Sequence, residues 1–239
     1  VAEFDNTTYD LPSDMADNAK LNKLRAAVLG ANDGIVSISS IVMGVAGATS
    51  DSKAITIAGL AALIAGALSM AVGEYVSVSS QSDAERAYIR LEKEDLRDNP
   101  EQELDELKRE YIKHGLSDKL ALQVAKELTE KDALTAHLRM HFNLDPQDIN
   151  NPWHAAIASF LAFTAGGLLP FLTIVFMPQD LRLVTTIIAV ILALTIVGYL
   201  SASVGNASKS RAILRVVGGG ILAMLITYYV GVLFGTTVG

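Results

Sequence analysis

The sequence predicts an all-α membrane protein: five transmembrane helices, with a charged helical insert between the second and the third. Three observations predict it. Five apolar stretches reach the roughly 20 residues that a helix needs to cross the hydrocarbon core of a bilayer. Most of the charge in the 239-residue chain lies between Gln81 and Asn151, whereas a water-soluble domain mixes charged and apolar residues more evenly. The Lys and Arg residues also fall almost entirely on one side of the stretches.

The apolar stretches cover residues 24–48, 54–79, 154–177, 181–204 and 212–235. The loops at 49–53 and 178–180 are short, so the helices they join must be antiparallel hairpins. Lys20, Lys23 and Arg25 precede the first stretch, and Lys209, Arg211 and Arg215 lie between the fourth and fifth. All Lys and Arg from Arg86 to Arg139 lie between the second and third, which leaves only Lys53 and Arg182 opposite. Basic residues stay on the cytoplasmic side. The N-terminus and the insert are therefore expected in the cytoplasm, and the C-terminus, after an odd number of crossings, outside it. The chain divides into a cytoplasmic N-terminal segment at 1–23, two spans within 24–79, the insert at 80–151, and three spans within 152–239. The start is polar up to Lys20, unlike a signal peptide. With no targeting tail, a bacterial cell membrane is the expected host.

The insert reads as helices. Residues 80–97 contain no breaker and continue the second span, and Asn99-Pro100 ends that helix and starts the next. A helix over 101–114 is closed by Gly115. Another, capped by Ser117 or Asp118, runs through Leu128, and a last one begins at Thr129 and ends near Asn143. Leu104, Leu107, Tyr111, Leu120, Leu122, Val124, Leu128, Leu134, Leu138 and Phe142 suit a small bundle. So small a core needs support from a partner subunit or a metal.

Composition excludes several functions. Without cysteine there are no disulfides, thiolate metal sites or cysteine nucleophiles. A net charge of −7 and the lack of a basic stripe argue against nucleic acid. No nucleophile elbow, P-loop or dinucleotide fingerprint is present, so the chain is not expected to be an enzyme, and any transport is driven by a gradient. Gly218-Gly219-Gly220 suits a helix contact, and the run from Gly166 to Pro170 a kink or close crossing.

Two acids inside the spans carry the chemistry. Asp33 stands among apolar and small residues of the first span, where an ionised side chain costs at least about 2.5–3.5 kcal/mol. Glu74 ends a stripe on the second span, Ala62, Gly66, Met70 and Glu74 at i, i+4 spacing. Asp33, Ser37, Ser40 and Gly44 make a comparable stripe on the first, with Met43 beside it. Two such stripes facing each other would line a narrow polar path. Carboxylate oxygen suits hard or borderline divalent ions and a thioether adds softness, so Fe²⁺ and Mn²⁺ fit better than Ca²⁺ or Mg²⁺. Asp33 could also carry a counter-moving proton.

The insert holds 17 acidic and 11 basic residues. Glu92 with Asp95, Glu103 with Glu106, and Glu106 with Glu110 repeat at helical neighbour spacing, a repulsion that a divalent cation would relieve. The alternative is a solvated acidic face. His137 and His141 share a helix face, yet the segment has no Glu-x-x-His and no His-Glu-x-x-His, so a histidine site is not expected.

The chain resembles the vacuolar iron transporter family. The matching residues are 32–37, Asn-Asp-Gly-Ile-Val-Ser, and 65–75, Ala-Gly-Ala-Leu-Ser-Met-Ala-Val-Gly-Glu-Tyr, with the charged insert and the Gly-Gly-Leu-x-Pro of the third span. The resemblance covers nearly the whole chain from Leu24. It implies a homodimer with its pathway between subunits, proton-coupled export of Fe²⁺ and often Mn²⁺ from the cytoplasm, and an insert that collects metal. It implies pathway roles for Asp33 and Met70, and metal-binding roles for Glu92, Asp95, Glu103, Glu106 and Met140. Asp95 replaces a glutamate of the family, Arg139 a methionine, and Asn143 and Ala62 further glutamates. A membrane-anchored metal sensor, a passive channel, and a membrane hydrolase or oxidase remain as other readings. The sensor would bind ions without flux.

Overall fold

The computed structural model describes residues 14–146, 150–205 and 207–238, so the expected segment 1–23 lies outside the described residues up to position 13. Seven helices run through them: α1 Asp14–Ala48, α2 Ser52–Asp98, α3 Pro100–Lys113, α4 Asp118–Phe142, α5 Pro152–Phe176, α6 Arg182–Val204 and α7 Lys209–Val238. Five of these, α1, α2, α5, α6 and α7, are long and apolar enough to cross a membrane. Helices suit such a medium because every backbone group finds its partner within the segment. The 47 residues of α2 extend about 70 Å at roughly 1.5 Å per residue, more than twice a hydrocarbon core of about 30 Å. Its apolar part ends near position 79, so its charged end lies outside a single crossing.

The described residues form two compact units, one from those up to Glu74 together with those from His154 onward, the other Tyr75–Trp153. In the first unit α1 stands between two cores. Ile38 and Val42 of α1 pack with Ile55, Leu63 and Ala67 of α2 and with Phe163 and Ile174 of α5. Ile35 and Met43 of α1 pack instead with Val190 and Leu194 of α6 and Met224 of α7.

Missing side chains let α1 approach its neighbours. A methyl group on Gly34 would run into the Phe163 carbonyl of α5, and one on Gly166 into the Ala31 carbonyl of α1. Small residues at a crossing allow this backbone contact. The run from Gly166 to Pro170 is thus a close crossing, and α5 continues through Pro170. Of the run Gly218-Gly219-Gly220 in α7, only Gly220 meets neighbours, chiefly Leu194, while Gly218 and Gly219 face open space; further along α7, Gly231 and Gly235 lie against Gly44 and Ala48 of α1. Arg182 is buried at the start of α6, where its guanidinium donates to Ser52 Oγ and to the Ser50 carbonyl, each at 3.3 Å. Large apolar side chains such as Ile57, Ile64, Leu68, Leu192 and Leu222 are exposed, the surface expected of lipid contact.

In the second unit, Pro100 takes the first position of α3, where its missing N–H leaves no gap in the helix. Gly115, at φ +95°, turns the chain between α3 and α4, a conformation that favours glycine. The core is small: Leu107, Ala121, Ala125 and Leu138 are fully buried. Two expected core positions lie elsewhere, for Leu120 is 49% exposed and Phe142 stacks on Tyr88 at its edge. The break expected at Thr129 falls instead at Asp132, whose backbone leaves helical geometry. The Asp132 carboxylate accepts the Thr135 N–H at 3.1 Å and the Thr135 hydroxyl at 2.7 Å. Aspartate caps a helix start better than threonine, so the second half of α4 begins there.

Gly34→Ala is expected to lower the thermal midpoint of the detergent-solubilised protein, at a cost of about 1–3 kcal/mol for overpacking. Gly73→Ala, where a methyl group meets nothing within 4 Å, should not lower it. Equal midpoints for the two variants would refute the close crossing.

Candidate metal centre

Three helices bring donors together in the second unit. Glu92 comes from α2, Glu103 from α3 and His137 from the capped half of α4. One donor atom from each lies within 4.8 Å of the others. His137 Nδ1 stands 2.9 Å from Glu92 Oε1 and 3.3 Å from Glu103 Oε2. Donors held at right angles about 2.1 Å from one ion are roughly 3.0 Å apart, so these spacings suit a shared cation. The His137 side chain is completely buried, and those of Glu92 and Glu103 are 10% and 14% exposed.

Their orientation is as informative as their spacing. Despite the short distances, neither ring nitrogen of His137 nor Glu92 Oε1 has an aligned hydrogen-bond partner. Buried polar atoms left without partners are uncommon. The three donors are close neighbours that do not hydrogen-bond one another.

Burial and mutual repulsion set the charge balance of the three groups. Burial, followed by repulsion from Glu103, Asp95 and Glu106, pushes the Glu92 carboxyl up to about 7. Burial, then Glu106 and Asp95, also raises Glu103. Burial, with His141 nearby, lowers His137 and favours the neutral ring. Two nearly buried carboxylates beside a neutral imidazole need a positive charge among them, either a proton or a metal ion. Metal binding requires deprotonated carboxylates and a neutral ring, so the two compete.

The other expected residues do not belong to this donor set. Asp95 is exposed and acts on Glu92 and Glu103 through its charge. The Glu106 side chain is 49% exposed, 4.0 Å from His141 Nδ1. Met140 lines a different cavity, of about 670 Å³, with Tyr111, His114, Lys131 and Arg139. In the first unit Asp33 is exposed and accepts the Ser37 hydroxyl at 3.1 Å. Met70 packs against the core of α1, α2 and α5, and Glu74 is half-buried. Met43 belongs to the other core, among α1, α6 and α7. The two stripes do not face each other along their length: Gly66 of α2 meets the Phe163 ring of α5, whereas Gly44 of α1 meets Thr227 of α7. Beside Asp33, Asn32 Oδ1 is buried without a partner.

His137 is the residue that the sequence patterns missed. Its companions lie on two other helices, so no spacing within one helix could reveal the set. The signal available was an acid-rich segment that also contained a histidine next to an apolar Leu138.

The VIT family model matches residues 24–232. The chain belongs to the VIT family. It is 42% identical over 214 residues to the Vacuolar iron transporter of Acanthamoeba castellanii, covering 89% of this chain and 79% of that protein. It is 35% identical over 234 residues to Vacuolar iron transporter homolog 2 of Arabidopsis thaliana, covering 98% and 92%. Vacuolar iron transporter homolog 2 of Oryza sativa subsp. japonica is 37% identical over 219 residues, covering 91% and 94%. The VIT family consists of transporters and not enzymes.

The Glu92 proton makes the metal-free insert sensitive to pH. Between pH 4.5 and about 7 the folded chain holds a proton that the unfolded chain has released. The stability it contributes is complete below pH 4.5 and is lost as pH rises through about 7. Glu103 acts in the same direction. His137 opposes them, its contribution being present above 6.5 and lost as pH falls through its lowered value. Glu92→Gln should therefore raise the metal-free melting temperature more at pH 8 than at pH 5. Scanning fluorimetry at both values is the check, and an equal change at both would exclude the buried proton.

Proposed function

We propose that this protein carries Fe²⁺, and Mn²⁺ as well, out of the cytoplasm across a membrane in exchange for inward-moving protons, and that it works as a homodimer. The observation that carries the reading is the buried donor set of Glu92, Glu103 and His137 in a chain of the VIT family with five candidate spans. The relatives' names supply iron as the cargo. The distribution of Lys and Arg supports an N-terminus and insert in the cytoplasm, with the C-terminus on the opposite side.

Asp33, Met70 and Glu74 are the pathway residues in this reading, with Met43 a weaker fourth. Asp33 is exposed on the single chain, and among the described residues neither it nor Glu74 joins a salt bridge. A carboxylate left against lipid is expensive, so a second copy that covers Asp33 supports the homodimer. Oxygen and thioether donors suit a borderline divalent ion. A carboxylate that releases a metal and takes a proton couples the two flows. Glu92, Asp95, Glu103 and Glu106, with Met140, would gather cytoplasmic metal and raise its local concentration.

Asp33→Asn is expected to reduce Fe²⁺ uptake into proteoliposomes to background under an imposed pH step, with the dimer intact on size-exclusion chromatography. Undiminished flux would remove Asp33 from the pathway. Binding to the unaltered protein with no flux at all would point to a sensor. Flux without a pH step would point to a passive channel.

A further inference from the structure

We infer that His137 is a nitrogen ligand of the insert's metal centre and sets its choice of ion, favouring Fe²⁺, Co²⁺ and Zn²⁺ over Mn²⁺. The inference rests on the reading of the insert as a metal collector and adds the residue that discriminates.

A buried neutral imidazole has few uses here. His137 lies at zero exposure, and both ring nitrogens lack an aligned hydrogen bond. A structural histidine would donate one N–H to a carbonyl or carboxylate. Its Nδ1 instead stands 2.9 Å and 3.3 Å from two carboxylate oxygens without such alignment. Three donor atoms this close together, with no hydrogen bond between them, suit a shared ion. The arrangement also places nitrogen, not oxygen, at the most buried corner of the set.

The donor type decides what the centre prefers. Carboxylates alone suit Mg²⁺, Ca²⁺ and Mn²⁺, whereas imidazole suits Fe²⁺, Zn²⁺ and other later ions of the first transition row. Adding one nitrogen to two carboxylates steepens the rise in affinity from Mn²⁺ onward. The other histidine of the helix is placed differently. His141 is 17% exposed with its Nε2 buried and unpartnered, and its Nδ1 is 4.0 Å from Glu106 Oε1, whose side chain is 49% exposed, so His141 stands beside the outermost carboxylate rather than the inner pair.

The test uses the full chain in lipid nanodiscs, with Co²⁺ and Mn²⁺ as probes and anaerobic Fe²⁺ as the third ion. His137→Gln should weaken Co²⁺ and Fe²⁺ binding by about tenfold or more while changing Mn²⁺ binding by less than about threefold. His141→Gln should leave the ratio of Co²⁺ to Mn²⁺ affinity in place. Pulsed electron paramagnetic resonance of Mn²⁺ added at one equivalent to the unaltered protein should show coupling to an imidazole nitrogen, which reads the ligand without any substitution. An unchanged affinity ratio in His137→Gln, or no nitrogen coupling in the unaltered protein, would overturn the inference. The double variant Glu92→Gln, Glu103→Gln separates the two levels. If it abolishes binding of both ions while His137→Gln leaves their ratio intact, only the role of His137 falls. If it leaves both ions bound as before, the insert is not the collector and the inference falls with that reading.

Discussion

Charge withdrawn from water must meet opposite charge, and the second unit is organised around one place where the protein itself does not supply it. Glu92, Glu103 and His137 arrive from three helices, and no Lys or Arg is paired with them among the described residues. The helices carrying them share a core of only a few side chains, two of them alanines. Such a core stabilises little by area alone. What occupies the donor set therefore bears on whether the three helices stay together. A cation bound only by the folded insert stabilises it by mass action, and a proton on Glu92 is the weaker substitute.

The first unit meets the same constraint by a different route. Its two hydrophobic cores are built of apolar side chains, and α1 lies close to its neighbours where glycine replaces bulk. Buried Arg182 reaches across to Ser50 and Ser52, and several threonines bond locally. Thr173, Thr185, Thr186, Thr195 and Thr227 return their hydroxyls to carbonyls of the preceding turn. The departures are on α1 and α5: Asn32 Oδ1, Ser40 Oγ and Thr164 Oγ1 are buried without partners, and Asp33 is exposed. Unsatisfied polarity is therefore concentrated on the helix that both cores share.

Legibility in the sequence followed the range of the interactions. The five spans were readable because crossing a bilayer imposes a length and an apolar composition on each segment by itself. Gly115 and Asn99-Pro100 were readable because turn and helix-start chemistry is local. The break in α4 was placed three residues early, because the strip of polar residues from Thr129 to Asp132 offers two caps and only the carboxylate finds a partner in Thr135. The helical repeat places Leu120 in the core, yet its neighbours Ala121 and Ala125 occupy the interior instead. Glu92 and Glu103 were found as members of acidic pairs, each pair within one helix. His137 could not be found that way, since its partners are set by how α2, α3 and α4 pack. The neighbours of the two membrane stripes are set by packing in the same way: Gly66 of α2 lies against α5 and Gly44 of α1 against α7.

The acidic residues of the insert differ in exposure, and that gives the cluster a direction. Asp95 is exposed, the Glu106 side chain is about half exposed, Glu103 and Glu92 are nearly covered, and His137 is sealed. In the proposed collector, a hydrated divalent ion would meet the outer carboxylates first, where water still screens the charge and the attraction is modest. At the inner pair the same charges would act in a less polar medium, where an ion would exchange water for fixed oxygen and nitrogen. Selectivity in that reading belongs at the inner position, because only an ion that has lost water feels the difference between a carboxylate and an imidazole. The outer acids would then set how strongly ions are drawn in rather than which ion is preferred.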